Sequence, residues 1–271
     1  MKLSELGEIG LLAELERRGL AWGIQDDAAV IGEGVVVTHD LLVERVHFEF
    51  ARSSWRDVGY KAAAVNLSDL AASGATAEGL LVGLAVPGET EFDDVLALYD
   101  GLCEPGVPIL GGDVSVSGQV LVGVTAVGRS ERIPGRGGAR PGDFLVVTGP
   151  LGAAGCAHRA GGAARPPVRL EEGRRLAAHA GAMLDLSDGI GVDAGRIASR
   201  SGCRLVVELE QVPLAEGATI EDLAFGEDYE LLAAVADPDG YPVVGRCEKG
   251  TGVEFRLAGR PVDLGGWEHF V

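Results

Sequence analysis

The 271-residue chain has no run of basic residues, and 23 lysines and arginines face 41 aspartates and glutamates. The resulting formal charge of −18 repels polyanions, so neither a nucleic-acid backbone nor an anionic membrane is an expected partner. Cysteine is scarce. Cys103, Cys156, Cys203 and Cys247 lie far apart, form no C-x-x-C pair and have no histidine set nearby, which argues against zinc or a disulfide framework and for reduced thiols. No apolar stretch reaches the length of a bilayer span. The opening Met1-Lys2-Leu3-Ser4-Glu5 lacks the charged-then-apolar form of a secretory signal, so a cytoplasmic setting is expected. A G-x-x-x-x-G-K-[ST] motif is absent, which excludes a P-loop as the phosphate binder. The loop Gly149-Pro150-Leu151-Gly152-Ala153-Ala154-Gly155 is not a dinucleotide fingerprint either, and tight strand-to-helix packing accounts for it better than a phosphate contact.

What is present is a full supply of core residues (46% apolar) and 42 glycines, roughly twice ordinary usage. The length suits one large domain or two ordinary ones. Helical spacing is read over 4–18, 55–73, 91–103, 170–181 and 190–201. Strands are read at 35–37, 80–86, 107–110, 119–127, 144–148, 182–186, 205–209, 229–235 and 253–257. Runs of strands between helices make α+β the expected class. Arginine, glycine and proline crowd residues 129–143, which reads as an interdomain connection and divides the chain into domains 1–133 and 134–271.

Short acidic stretches stand where apolar runs stop: Gln25-Asp26-Asp27, Thr38-His39-Asp40, Asn66-Leu67-Ser68-Asp69, Gly111-Gly112-Asp113 and Asp185-Leu186-Ser187-Asp188. Aspartates interleaved with glycine and hydroxyl residues suit hard cations and the phosphates they carry. Asp26 and Asp27 point to opposite sides of an extended segment, so at most one faces a given site. Asn66 and Asp69 share a helix face. A helix starting near Asp188 would offer free N–H groups to an anion, though capping by Ser187 or Asp188 explains that stretch equally well.

Longer strings then carry a resemblance. Asp26-Asp27-Ala28-Ala29-Val30, Asp40-Leu41-Leu42-Val43-Glu44-Arg45-Val46-His47-Phe48 and Lys61 through Ala72 resemble the thiamine-monophosphate kinases. So do Gly111-Gly112-Asp113, Asp185 through Gly189, Gly226-Glu227-Asp228-Tyr229-Glu230-Leu231 and the closing Trp267-Glu268-His269-Phe270. The match runs in order along nearly the whole chain. The wider superfamily includes aminoimidazole ribonucleotide synthetase and selenophosphate synthetase.

The resemblance implies a two-domain synthetase-like α+β fold. Its N-terminal domain would form a β-barrel with its twin in a homodimer, and its C-terminal domain would fold over that one. The implied reaction transfers the γ-phosphoryl group of ATP to thiamine monophosphate, with several Mg2+ ions and no covalent nucleophile or general base. Carried over by position, Asp27, Thr38, His39, Asp40, Asp69, Asp113, Asp185 and Asp188 fall at metal positions. Tyr99, Gly112, Asp113, Arg136 and Ser187 fall at ATP positions, and His47, Glu227 and Trp267 at substrate positions. Glu44, Asp228 and Glu230 read as structural. The chain departs from the family pattern at Gln25 and Arg45, where glycine is usual, at His39, where a small hydroxyl is usual, and at Val114, where threonine is usual. The segments 102–106 and 156–172 read as short. Another ATP-dependent enzyme of the superfamily and a non-catalytic Mg-nucleotide-binding protein are the alternatives.

Overall fold

The computed structural model describes residues 2–22 and 26–267, which leaves Gln25 and residues 268–271 outside the described residues. The chain opens with α1 (Leu3–Arg17), then β1 (Ala29–Ile31), β2 (Val35–Val43), α2 (Trp55–Ala72), β3 (Thr76–Val86), α3 (Phe92–Cys103), β4 (Ile109–Val116) and β5 (Leu121–Arg129). These strands form a five-stranded sheet in the order β1-β2-β5-β3-β4, antiparallel except for the β3/β4 pair that α3 connects. One face is packed: Val36, Leu42, Leu80, Val82, Val122 and Val124 meet Val58, Ala62, Leu67 and Leu98 from α2 and α3. The other face leaves Leu41 and Leu81 exposed, and the edge strand β4 leaves Leu110, Val114 and Val116 exposed.

Among the described residues, the barrel expected for this half is not closed within one chain. The sheet is open, with β1 and β4 at its edges.

The second half holds β6 (Phe144–Val147), α4 (Ala153–Arg159), α5 (Leu170–Ala177), β7 (Ala182–Asp185), α6 (Ile190–Ser201), β8 (Arg204–Glu208), β9 (Leu231–Val235), β10 (Val243–Glu248), β11 (Gly252–Leu257) and β12 (Arg260–Val262). Its seven-stranded sheet runs β12-β11-β8-β10-β6-β9-β7, with only β8/β11 parallel. Two apolar clusters lie on it. One is built on Leu184, Ile190, Ile197, Leu205 and Leu232, the other on Val146, Met183, Leu231, Ala233 and Leu176. Ala71 and Ala72 of α2 join the second cluster. The central helix therefore packs against both halves, which is why 62–64 and 71–72 are alanine and why so few of its residues reach solvent.

The connection is anchored as well. The Arg132 guanidinium donates to the carbonyls of Ala177 and, at 2.7 Å, Ala180, just where α5 ends. A cation on the final carbonyl of α5 complements the helix dipole, and α5 ends at Ala177, short of the expected 181.

Two acidic stretches lie inside strands rather than at their mouths. Thr38-His39-Asp40 is the middle of β2, and Gly111-Gly112-Asp113 is within β4. Polar residues at these positions hid the continuation of both strands. Strand β10 was not legible because Gly245 sits at an irregularity where its pairing with β6 shifts register.

Helices α2 and α3 cross at glycines. A Cβ on Gly59 would lie 1.9 Å from the Leu98 carbonyl oxygen, and one on Gly101 would lie 1.9 Å from that of Arg56. Backbone cannot yield as a side-chain tip can. Gly59→Ala is expected to destabilise the protein by about 2–3 kcal/mol, lowering the melting temperature by roughly 4–10 °C; calorimetry checks this, and an unchanged melting temperature would contradict the tight crossing.

Candidate active site

A cavity of about 1190 Å³ opens between the two halves, lined from both. Strand alternation supplies its first residues. Along β2, Thr38 and Asp40 face the helix side with Val36 and Leu42, while His39 and Leu41 face away. Asn66, fully buried on α2, pins this strand: its Oδ1 accepts from the Asp40 N–H at 3.0 Å and its Nδ2 donates to the Ala62 carbonyl at 2.9 Å. Three residues on, Asp69 accepts from the Thr38 hydroxyl, and Ser68 donates to Asp185 Oδ2 at 2.6 Å. Asp185 is the last residue of β7.

Asp27, Asp69 and Asp185 each offer a carboxylate oxygen, and these oxygens lie within 4.8 Å of one another. At an effective dielectric near 20, two unit charges at that distance repel by roughly 3.5 kcal/mol. The protein answers with one guanidinium. Arg136 Nη2 donates to Asp27 Oδ1 at 2.6 Å, and both side chains are largely buried. Arg136 is therefore no surface charge, and its backbone N–H donates to the exposed Asp26 at 3.0 Å, so of the two neighbouring aspartates only Asp27 turns inward.

Burial raises the Asp69 carboxyl well above its ordinary range, and the charges of Asp185, Asp40 and Asp27 add to this. Burial likewise raises Asp185 far above that range, with Asp27 the next cause. Asp27 and Asp40 are raised for the same first reason, opposed in Asp27 by Arg136 and in Asp40 by a hydrogen bond shared with Asp69. An all-oxygen donor set with surplus negative charge fits a hard divalent cation such as magnesium.

Asp188 and Ser187 line the same cavity. Helix α6 is preceded by Gly189, with no side-chain cap, so neither residue is spent as an N-cap. Instead Arg196 pairs with both Asp188 and Asp193, and the Asp188 N–H donates to Asp193 at 3.0 Å. Burial pushes Asp193 up to about 7.

The residues expected to meet substrate also reach this cavity. His47 lines it, and its Nδ1 accepts from the Val43 N–H at 3.0 Å. Trp267 is tied by its backbone N–H to the Asp188 carbonyl at 2.8 Å, with its half-exposed side chain toward the cavity. Glu227 takes a left-handed φ of 59° and Tyr229 one of 51°. Despite these left-handed angles the side chains still alternate: Glu227 and Tyr229 line the cavity while Asp228 between them turns away. The Asp228 carboxylate accepts the Gly152 N–H at 2.9 Å; it takes up the start of α4, where an anion could otherwise sit. Glu230 pairs with Arg169 at 2.6 Å and Glu44 accepts from the Val120 N–H at 3.0 Å, both away from the site. Arg45, at a position where glycine is usual, has a φ of 67°.

His39 borders the cavity between Thr38 and Asp40, but its ring turns toward the opposite sheet face, its Nδ1 2.9 Å from the Thr125 hydroxyl. Three expected residues lie elsewhere in a single chain. Asp113 shares a cross-strand row with Gly83, Gly123 and the exposed Leu41, again on that opposite face. Gly112 shares the row of Asp40 but stands three strands away, roughly 14 Å at ordinary strand spacing. Tyr99 joins residues 109–114 in a separate shallow pocket at the β4 edge. Sequence reading missed Lys61, Tyr229 and Arg196, all of which line the main cavity. Lys61 was detectable, since 61, 65 and 69 recur at helical spacing on α2.

Carboxyls raised by burial give a definite pH dependence. Such a group stabilises the fold while protonated in the native state and withdraws that contribution as pH climbs from the ordinary carboxylate range to the raised value. Asp193 alone would remove roughly 2 kcal/mol between pH 5.5 and 7.5. In chelator the melting temperature should therefore fall by roughly 4 °C or more over that interval. Asp69→Asn should flatten the slope, and magnesium should raise the melting temperature more at pH 7.5 than at 5.5. A metal-free melting temperature that rises with pH would contradict the assignment.

Two family models match: AIR synthase related protein, N-terminal domain, over residues 25–130, and AIR synthase related protein, C-terminal domain, over residues 140–263. The thiamine-monophosphate kinase of Aquifex aeolicus is 33% identical, with the alignment covering 100% of both chains. That of Halobacterium salinarum is 34% identical over 93% of this chain and 96% of its own. Among solved structures, AaThiL complexed with AMPPCP and TMP superposes with a TM-score of 0.91 at 31% identity, covering 99% of both chains. The chain thus belongs to the AIR synthase related family and, within it, to the thiamine-monophosphate kinases.

Proposed function

We propose that this chain catalyses ATP-dependent phosphorylation of thiamine monophosphate to thiamine diphosphate, by direct in-line transfer of the γ-phosphoryl group. The observation that carries the reading is the convergence, in one cavity, of the Asp27/Asp69/Asp185 cluster and the residues His47, Glu227 and Trp267. The close relatives named as kinases of this substrate support it, as does the neighbour solved with TMP and an ATP analogue.

Both reactants are phosphorylated anions, so charge is the principal obstacle to their meeting. Asp27, Asp40, Asp69, Asp185 and Asp188 would hold magnesium, with Thr38 adding an oxygen; bound there, the ions would neutralise and align phosphate oxygens. Arg136 adds a fixed positive charge beside the cluster. The acceptor is already an ionised phosphate oxygen, so no side chain has to remove a proton and no phosphoenzyme is needed. Trp267 offers an aromatic face to a heterocycle, and Glu227 an acceptor to its amino group.

The same reading includes a homodimer. The exposed β4 edge and the apolar face bearing Leu41 and Leu81 are the surface a twin subunit would cover in closing the barrel. Dimerisation would give Tyr99, Gly112 and Asp113 a route to an ATP site that they lack in a single chain, and would give His39 a covered environment. Cysteines free of disulfides agree with a cytoplasmic setting.

The test is a magnesium-dependent coupled assay with thiamine monophosphate as acceptor and thiamine as control. Turnover is expected only with the phosphorylated acceptor and only with the metal; ATP binding without product would indicate a nucleotide sensor instead. Asp40→Asn and Asp69→Asn should each lower turnover by roughly 100-fold or more, yet equal or exceed the wild type in metal-free thermal stability. Normal turnover in either variant would contradict the assignment.

A further inference from the structure

Lys61 lies on α2 two turns before Asp69, and its side chain is 13% exposed. Its ammonium donates to Glu227 Oε1 at 2.5 Å and to the His47 carbonyl at 2.7 Å. One cation thus joins the central helix, the loop after β2 and the 226–229 loop of the second half. Glu227 needs such a hold for two reasons. Its φ of 59° is a conformation that side-chain-bearing residues rarely adopt and that persists only when surroundings impose it. Its carboxylate also belongs to the set of negative charges, with Asp40, Asp185 and Asp69, that act together on the Tyr229 phenol. Without a local cation those like charges would drive Glu227 outward. Desolvation of two partly buried charges offsets much of their attraction, so the pair contributes little net stability to the fold.

We propose that Lys61 is a positioning residue for acceptor recognition: it holds the Glu227 carboxylate aimed into the cavity, in fixed register with the His47 loop, so that Glu227 accepts a hydrogen bond from an amino group on the substrate's heterocycle. This rests on thiamine monophosphate being the acceptor. A site that pairs a buried acceptor with an amino group rejects an analogue carrying oxygen there, and that discrimination is lost when the acceptor is no longer held.

The experiment compares wild type, Lys61→Met, Lys61→Arg and Glu227→Gln in steady-state kinetics. Acceptors are thiamine monophosphate and its analogue with oxygen in place of the pyrimidine amino group; ATP is varied separately. Lys61→Met is expected to raise KM for thiamine monophosphate by roughly 10–100-fold, while KM for ATP stays within about threefold. Its preference for the amino over the oxo acceptor should shrink by about tenfold, and Lys61→Arg should restore much of that preference. Glu227→Gln removes the carboxylate charge itself and is expected to show the same split; Lys61→Gln, which removes the cation but keeps a polar side chain, replaces Lys61→Met should that variant fail to fold. The proposal is overturned if the variants lose turnover with both acceptors alike and keep the preference, which is the mark of a structural role. A wild type inactive on thiamine monophosphate would overturn the acceptor assignment, and the proposal with it; an active wild type with unaltered selectivity in the variants would overturn the proposal alone.

Discussion

Carboxylates that share a buried space repel one another, and this chain brings several together with far fewer cations than would neutralise them. Asp27, Asp69 and Asp185 come within 4.8 Å, with Asp40 close enough to share a hydrogen bond with Asp69. Nothing in the hydrophobic effect would assemble such a group, so the surrounding structure has to impose it. Asn66 fastens β2 to α2, Ser68 and Thr38 donate to the carboxylates beside them, and Arg136 reaches over from the connection. On the proposed reading a divalent cation would relieve this repulsion, which is how an acidic protein would accommodate two acidic reactants.

Helix α2 is the part that makes this possible. It packs against the first sheet on one side and, through Ala71 and Ala72, against α5 and the second sheet on another. It also carries Asn66, Ser68, Asp69 and Lys61 on turns that face the cavity or its walls. Because one element serves both halves, it sets the separation between the Asp27/Asp69/Asp185 cluster and the Glu227 loop. The two halves are further tied by Arg136 to Asp27 and Lys61 to Glu227, each pair joining residues far apart in sequence.

Much of this was legible in the sequence because the acidic groups of the cavity sit in long, ordered strings. The Asp69 and Asp185 stretches and the span of α2 could be read directly, since helical periodicity and acid placement agree there. Direction within strands was harder. His39 and Asp40 are neighbours, yet the pleat sends them to opposite sheet faces, and Asp113 follows His39 rather than Asp40. A linear string records the neighbours but not which sheet face each side chain takes. Tyr229 could have been read from alternation, since it stands two residues beyond Glu227 and lines the same cavity. Lys61 escaped because a lysine on a helix reads as a solvated charge until its partner, 166 residues away, is brought beside it.

The central claim is that protonated or strained carboxylates give way to a divalent cation in this cavity. Calorimetric titration with magnesium near pH 6.5, repeated in buffers of different ionisation heats, measures the protons released per ion bound. Raised carboxyl affinities require a substantial fraction of a proton to leave for each ion, and replacing Asp69 with Asn should cut that release. Saturable magnesium binding with no proton release, or no binding at all in the presence of nucleotide, would contradict the account.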